Sequence, residues 1–179
     1  MKDDILKVLL TQEQISARVA EMGAELAKDF CDKNPMFIGV LKGSFVFMSD
    51  LVRCTEIKCS LDFMSVSSYG RGTSTTGEVK INKDLGQDIA GRHIIIVEDI
   101  LDSGITLNYL VGYLKNRQPE SITLVALLDK PSRRRAPVNA NLTGFQVPDE
   151  FVVGYGLDFA ESYRNLPYIG VLKPEIYAM

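Results

Sequence analysis

Apolar and polar positions follow two distinct periods along the chain. Between positions 11 and 30 the period is helical, because apolar residues recur at steps of four, three and four. These residues are Ile15, Val19, Met22 and Leu26. Thr11 and Gln14 precede them at the spacing of a capping box. The segment predicts an amphipathic helix whose apolar face packs in the core.

Short apolar runs between helical segments predict strands. MFIGVL (36–41) and HIIIVE (93–98) contain continuous apolar stretches, which are typical of strands covered on both faces. EIKCSLDFMSVSSY (56–69) alternates, with Ile57, Cys59, Leu61 and Phe63 on one side, and predicts a half-exposed strand. Further strands are predicted at EVKIN, SITLVALLD, FVVGYG and YIGVL, and helices at KGSFVFMSDLV and TLNYLVGYLKN. This alternation predicts an α/β fold with a mostly parallel central sheet flanked by helices.

Length and composition indicate one domain spanning residues 1–179, without a strong global charge. The chain has 179 residues and a formal net charge of −3, so no overall positive field would attract nucleic acid or an anionic membrane. Its three cysteines lack disulfide or zinc spacing, which favours a reducing cytoplasm. The N-terminus does not have the pattern of a secretion signal, and no apolar run approaches the roughly 18 residues of a membrane span. We expect a cytoplasmic protein with small-molecule partners.

The segment IIIVEDILDSGITL (94–107) carries the strongest chemical signal. Glu98 and Asp99 follow the apolar run, and their side chains should point to opposite sides of an extended chain. The turn DSGIT then offers hydroxyls and backbone amides at the start of the next helix, where a phosphate is favoured. A sugar phosphate would satisfy both parts, with its hydroxyls on the acids and its ester on the turn. From these residues alone, an acidic loop without a ligand is an equal alternative.

Two further features narrow the chemistry. Residues 67–77 are small, polar and glycine-rich, which predicts a mobile loop. His93 is the only histidine and has no partner at metal or triad spacing, so we expect a structural role for it. The P-loop pattern of nucleoside-triphosphate binding is absent, as is the G-x-S-x-G nucleophile pattern. Covalent catalysis is therefore not indicated.

The segment 94–107 resembles the phosphoribosyl-diphosphate-binding motif of type I phosphoribosyltransferases. Four other segments are similar to the hypoxanthine-guanine branch of that family and occur in the same order: LKGS (41–44), SSYG (67–70), LLDKPSRR (127–134) and PDEFVVGYGLDFAESYRNLPYIGVL (148–172). The resemblance spans roughly residues 36–172. It implies the family fold, with a small hood and a mobile lid loop at about residues 67–77. It also implies magnesium-dependent transfer of a 5-phosphoribosyl group from 5-phosphoribosyl 1-diphosphate to N9 of a 6-oxopurine.

The same resemblance assigns roles to residues around the acidic motif. Glu98 and Asp99 would hold the ribose hydroxyls, directly or through metal-bound water, and Asp158 would join them as a magnesium-associated acid. Asp102 would face purine N7 as general base or proton acceptor, although capping the next helix is its alternative role. The 5′-phosphate would be bound by Asp102, Ser103, Gly104, Ile105 and Thr106.

Other family roles fall on loops and strands further along the chain. The pyrophosphate would be bound by Lys42, Gly43, Arg134 and Arg164, with a cis peptide expected between the first two; without the resemblance, Lys42 and Gly43 would be only a strand-to-helix turn. The purine would meet Lys130 at O6, Phe151 by stacking and Val152 through its backbone. Ser68 and Tyr69 would belong to the lid. Arg133 and Arg135 are interpreted as solvated neighbours of Arg134.

Two residues depart from the pattern of the family. Ile105 stands where some relatives have lysine or leucine, and Asp129 precedes Lys130 where others can have an apolar residue.

The leading hypothesis is a purine-salvage enzyme that forms a homodimer or homotetramer. A nucleic-acid-binding regulator on the same fold and a transferase for another base, such as xanthine, are the alternatives; the acidic balance and the retention of Lys130 and Phe151 argue against the regulator.

Overall fold

A mostly parallel sheet forms the centre of the fold in the computed structural model, which describes residues 1–68 and 79–178. Its strands are β2 (Met36–Leu41), β3 (Ser60–Ser68), β4 (Val79–Lys83), β5 (His93–Leu101), β6 (Ser121–Asp129) and β7 (Leu142–Gln146). Within the described residues their order is β4-β3-β2-β5-β6-β7, and β4 alone runs antiparallel to its neighbour. The predicted α/β class with a mostly parallel sheet is confirmed.

Helices cover both faces of this sheet. On one face, α1 (Gln12–Phe30) and α2 (Phe45–Arg53) pack against alternate β5 residues such as Ile95 and Val97. On the other face, α3 (Ile105–Lys115) packs against Ile94 and Ile96. Strand β5 is therefore buried from both sides, which explains why its sequence is continuously apolar rather than alternating.

The predicted start of α1 is confirmed in atomic detail. The Thr11 hydroxyl accepts a hydrogen bond from the Gln14 backbone amide at 3.3 Å, and the Gln14 side chain accepts one from the Thr11 amide at 2.8 Å. Two amides at the beginning of the helix thus gain partners. The predicted apolar face of the helix is buried, with Ile15, Val19 and Met22 at most 1% exposed.

A second, antiparallel sheet forms the hood and stands beside the carboxyl ends of the central strands. It consists of β1 (Ile5–Leu10), β9 (Ile169–Leu172) and β8 (Val152–Val153), in that order. The short helix α4 (Pro174–Tyr177) follows β9. The segment around Phe151, just before β8, lies near the end of β5, since Phe151 lines one cavity with Ile100 and Asp102.

Several predicted boundaries were wrong for physical reasons. Strand β5 does not end at Glu98, because pairing with β6 continues to Leu101 opposite Asp129. Strand β3 begins only at Ser60, so the alternation expected from Ile57 does not run through it, and Leu61 is exposed rather than buried.

Strands β1 and β7 were not predicted. Strand β1 is an edge strand with Leu6 and Val8 exposed, and β7 is interrupted by Gly144, so neither shows a clean two-residue period. Among the described residues, no helix combines the length and the apolar character that crossing a membrane requires.

Candidate active site

The candidate site lies where the chain changes direction across the sheet. From β2 the chain crosses to β3 on one side, and from β5 it crosses to β6 on the other. In open α/β sheets such a switch point leaves a crevice beyond the carboxyl ends of the two strands. Here the segment after β2 carries Lys42 and Gly43, and the end of β5 carries the acids and Asp102.

Glu98 and Asp99 are two separate buried acids. They are adjacent residues within β5, and opposite orientations of their side chains remain a prediction from strand geometry. Glu98 Oε2 is buried without a hydrogen-bond partner among the described residues, and burial, with the nearby charge of Asp99, raises the pKa of Glu98 well above its ordinary value. Burial also raises the pKa of Asp99, to about 6. Buried carboxyl groups with raised pKa values are characteristic of ligand sites.

Gly43 brings the main chain against the Asp99 carboxylate. A Cβ atom at position 43 would collide with Asp99 Oδ2, so only glycine permits this approach. The predicted cis peptide was misplaced by one residue: the bond lies between Leu41 and Lys42, ahead of the Gly43 approach rather than within it. The Lys42 ammonium is exposed and forms an ion pair with Glu161 at 2.8 Å.

The turn after Asp102 leads directly into α3. Gly104 has a φ of 77°, in the left-handed region, and the helix begins at Ile105. Within the described residues no side chain caps this helix, although the Ser103 hydroxyl accepts a weak hydrogen bond from the Ile105 amide at 3.4 Å. The first-turn amides and the positive end of the helix dipole therefore offer an anion site. Ser103, Gly104, Ile105 and Thr106 form this turn and the first residues of α3.

Arg134 contacts the backbone of this turn and lines a cavity beside it together with Ser103 and Ile105. Its guanidinium donates to the Leu101 carbonyl at 3.2 Å and to the Asp102 carbonyl, and it pairs with the Asp129 carboxylate. These contacts tie the end of β6 to the turn and explain Asp129, which had no clear role in the sequence. The predicted pyrophosphate contact of Arg134 is untested, and the visible function of its side chain is to support the turn.

A cavity of about 450 Å³ opens beside Asp102. Its lining includes residues from several distant segments: Ile100, Asp102, Lys130, Phe151, Asp158 and Tyr177. Lys130 is only 6% exposed, and its ammonium donates to the Glu150 carbonyl at 2.6 Å. Burial lowers the pKa of Lys130. Because Lys130 is buried beside an open cavity, its environment is not that of a solvated surface lysine. Its ammonium is placed to donate a hydrogen bond to a ligand in the cavity.

Phe151 and Asp158 complete the cavity wall. Phe151 is 37% exposed, so its position on the strand pattern does not make it a core residue, whereas Val152 is buried. Asp158 pairs with Arg164 at 2.8 Å, and Arg164 also donates to the Gly156 carbonyl at 2.7 Å. Of the two predicted lid residues, Ser68 is the last residue of β3 and Tyr69 lies outside the described residues.

Two residues at this site were not predicted from the sequence. Arg133, interpreted as solvated, pairs with Asp102 at 2.8 Å and with Asp149 at 3.2 Å. Tyr177 stacks on Phe151 with ring centroids 4.7 Å apart. Neither contact has a local sequence signal, because each depends on how distant segments meet in space.

The acids around the crevice fit a magnesium ion that is shared with a ligand. Among the described residues, no group of three or more histidine, cysteine or acidic side chains is arranged to hold a metal alone. Magnesium, however, is commonly held by one or two carboxylates together with water and substrate phosphates. The buried, unpartnered Glu98 oxygen and the nearby Asp99 provide such hard oxygen ligands.

Comparison with known proteins places this arrangement in a family. A family model described as the phosphoribosyl transferase domain matches residues 7–160. The chain is 56% identical over 177 residues to the hypoxanthine-guanine phosphoribosyltransferase of Bacillus subtilis (strain 168), covering 99% of this chain and 98% of that protein. The chain therefore belongs to the phosphoribosyltransferase family.

Further relatives agree in name and structure. The hypoxanthine-guanine phosphoribosyltransferase of Staphylococcus aureus (strain Mu50) is 52% identical over 178 residues, covering 99% of each chain. A crystal structure of a hypoxanthine phosphoribosyltransferase from Staphylococcus aureus superposes with a TM-score of 0.96 at 52% identity, covering 99% of this chain and 96% of that one. The predicted resemblance to the hypoxanthine-guanine branch is confirmed.

Proposed function

We propose that this protein is a purine-salvage enzyme that transfers the 5-phosphoribosyl group of 5-phosphoribosyl 1-diphosphate to N9 of hypoxanthine or guanine. The products are the purine nucleotide and pyrophosphate. One observation carries the proposal: an uncapped helix start, two buried acids and a cavity with a buried lysine and an aromatic wall all meet at Asp102. The helix start suits the phosphate of a nucleotide, the two acids suit its ribose, and the cavity suits its base. A nucleotide contains these three groups in the same order.

The turn and the acids would fix the sugar phosphate. Amides of residues 103–106 would bind the 5′-phosphate, while Glu98 and Asp99 would bind the ribose hydroxyls or waters around a magnesium ion. When bound, magnesium held by Glu98, Asp99 or Asp158 would neutralise negative charge on the diphosphate. Lys42, the Gly43 amide and Arg164 would stabilise the departing pyrophosphate as its charge develops.

The cavity would hold the base. The Lys130 ammonium would donate to purine O6, which adenine lacks, and an ammonium has no acceptor for adenine's amino group. Phe151 would stack on the ring, and the backbone of Val152 would meet the base edge. Because Lys130 is buried and already oriented by the Glu150 carbonyl, little freedom would be lost on binding.

Asp102 would accept the proton that the base loses in the transfer step. The bond from C1′ to the diphosphate oxygen breaks, the bond from N9 to C1′ forms, and the base loses one proton. Asp102 lines the base cavity and is adjacent to the phosphate turn, so its carboxylate can accept that proton at N7, directly or through one water.

Initial rates of pyrophosphate release test the proposal. With 5-phosphoribosyl 1-diphosphate and magnesium, we expect rapid release with hypoxanthine and guanine, and little with adenine or uracil. Xanthine rates would decide whether that base is also accepted. Binding of nucleic acid in a gel shift without base-dependent pyrophosphate release would instead support the regulator hypothesis. Chelation should abolish turnover, and restoration by magnesium would establish the cofactor.

The oligomeric state and the cellular location of the protein are proposed separately from its activity. A homodimer or homotetramer is proposed from the family resemblance, and sedimentation of the purified chain would measure it. Cytoplasmic location is likewise proposed, and a fluorescent fusion would test it.

A further inference from the structure

The C-terminal segment returns to the purine side of the candidate site. Strand β9 pairs with β8 through Val171 and Val152, and the Leu172 amide donates to the Phe151 carbonyl at 2.8 Å. Helix α4 follows at once, and its Tyr177 ring lies over the Phe151 ring with centroids 4.7 Å apart and planes inclined by 19°. Both rings line the 450 Å³ cavity.

The placement of Tyr177 is fixed by contacts on the other side of α4. Ile176 packs against a small core formed by Val153, Tyr163, Leu166 and Leu172. The Lys173 amide donates to the Asp4 carbonyl at 2.9 Å, which attaches the segment to the residues before β1. With its neighbour Ile176 anchored in this way, Tyr177 is directed over Phe151 while remaining 36% exposed itself.

Phe151 is therefore held from two directions. Tyr177 covers one face of its ring, and the Phe159 ring meets it edge-on, with centroids 5.6 Å apart and planes at 89°. Phe151 is still 37% exposed and lines the cavity together with Ile100 and Lys130, so the part of its ring that faces the cavity is free for a flat ligand. A ring whose orientation is already set loses less freedom when a base stacks on it, so the base binds more tightly.

We propose that Tyr177 is a positioning residue that sets the affinity for the purine by holding Phe151 in its stacking orientation. Tyr177, Phe151 and the base would form a three-layer stack. This role rests on the proposed transferase function, because it assigns the free face of Phe151 to the purine. It does not involve the sugar-phosphate end of the site, because Tyr177 is not part of the lining of the cavity beside Ser103 and Ile105.

Steady-state kinetics of four variants test the proposal. Tyr177→Ala should raise the KM for hypoxanthine roughly three- to tenfold, the range expected for loss of one aromatic pair. The KM for 5-phosphoribosyl 1-diphosphate should stay unchanged. Tyr177→Leu, which keeps apolar bulk without a ring, should also raise the purine KM. Tyr177→Phe, which keeps the ring, should leave the purine KM at the wild-type value. Tyr109→Ala is the matched control, because Tyr109 is exposed and stacks on another tyrosine away from the cavity.

The possible outcomes separate the positioning role from the proposed function. A wild-type chain without base-dependent pyrophosphate release would overturn the transferase proposal itself. An active wild type whose purine KM is unchanged by Tyr177→Ala would overturn only the role of Tyr177. A lower purine KM would also overturn it, because Tyr177 would then occupy the face meant for the base. If the alanine variant does not fold, the leucine and phenylalanine variants decide by the same comparison.

Discussion

Two clefts of nearly equal size lie at opposite ends of β5, and they differ in chemistry. The cleft beside Asp102 measures about 450 Å³, and the cleft beside His93 about 460 Å³. In the second cleft His93 Nδ1 and the Ser121 hydroxyl are 2.7 Å apart, and the Asn141 side chain accepts from the Leu124 amide at 2.8 Å. His93, Ser121 and Asn141 thus have partners within the protein.

The cleft beside Asp102 has the opposite character. Lys130 is buried at its wall, and the neighbouring acids Glu98 and Asp99 have pKa values raised by burial. Burying charge in this way is costly for folding unless a ligand supplies the missing partners. Volume alone therefore does not mark the functional cleft, whereas buried ionisable groups with shifted pKa values do.

The largest expected difference between the two clefts is the change in kcat when an acidic residue of each is replaced. Asp102→Asn should lower kcat about 100- to 10,000-fold, since the amide cannot accept the proton from the base. Binding of 5-phosphoribosyl 1-diphosphate, measured by calorimetry, should persist. Asp29→Asn in the opposite cleft is the control and should leave kcat unchanged. Undiminished turnover of the Asp102 variant would show that its carboxylate is not the essential proton acceptor.

The lysines of the two clefts form the next comparison. Lys130→Met should lower kcat/KM for hypoxanthine roughly 10- to 100-fold, as expected for loss of a charged hydrogen-bond donor. Lys33→Met removes an exposed lysine whose ammonium lies over the Phe30 ring, and it should have no effect on these rates. Equal effects of the two changes would contradict the assignment of the purine to the Asp102 cleft.

The buried environment of Lys130 also predicts a pH dependence. Because burial lowers its pKa, Lys130 should lose its proton at a lower pH than the value of about 10.4 for a free lysine. The KM for hypoxanthine should therefore rise as the pH increases through this lowered value. The Lys130→Met variant controls for titration of the base itself, which affects both enzymes. Identical pH profiles for the two enzymes would refute a charged donor at this position.

The smallest effect on catalysis is expected for His93. Replacing it with alanine removes the Ser121 hydrogen bond and the edge contact with Phe30, so the free energy of unfolding should fall by about 1 kcal/mol. The kcat/KM for hypoxanthine should be unchanged. Denaturant unfolding and initial rates measure the two quantities, and a loss of activity with unchanged stability would assign His93 a functional role instead.

The sequence was informative where chemistry and structure are local. Strand β5, the turn after Asp102 and the start of α3 are continuous in the chain, so their apolar run, acids and glycine could be interpreted together. Glu98 and Asp99 were predicted at the end of the strand but lie within it, because pairing with β6 continues to Leu101, which the sequence of β5 alone does not show.

Contacts between distant segments could not be predicted in the same way. The contacts of Arg134 with Leu101, Asp102 and Asp129 join the end of β6 to the turn after β5 and have no local sequence signal. The hood pairs β1 with β9 across nearly the whole chain, and β1 shows no alternating pattern because it is an exposed edge. The stacking of Tyr177 on Phe151 depends on that hood and has no local signal.

A crystal structure with the product guanosine monophosphate would test the central claim most directly. We predict that its phosphate lies against the amides of residues 103–106, its ribose near Glu98 and Asp99, and its base between Ile100 and Phe151. A nucleotide bound in the cleft beside His93, with the pocket at Asp102 empty, would contradict the account.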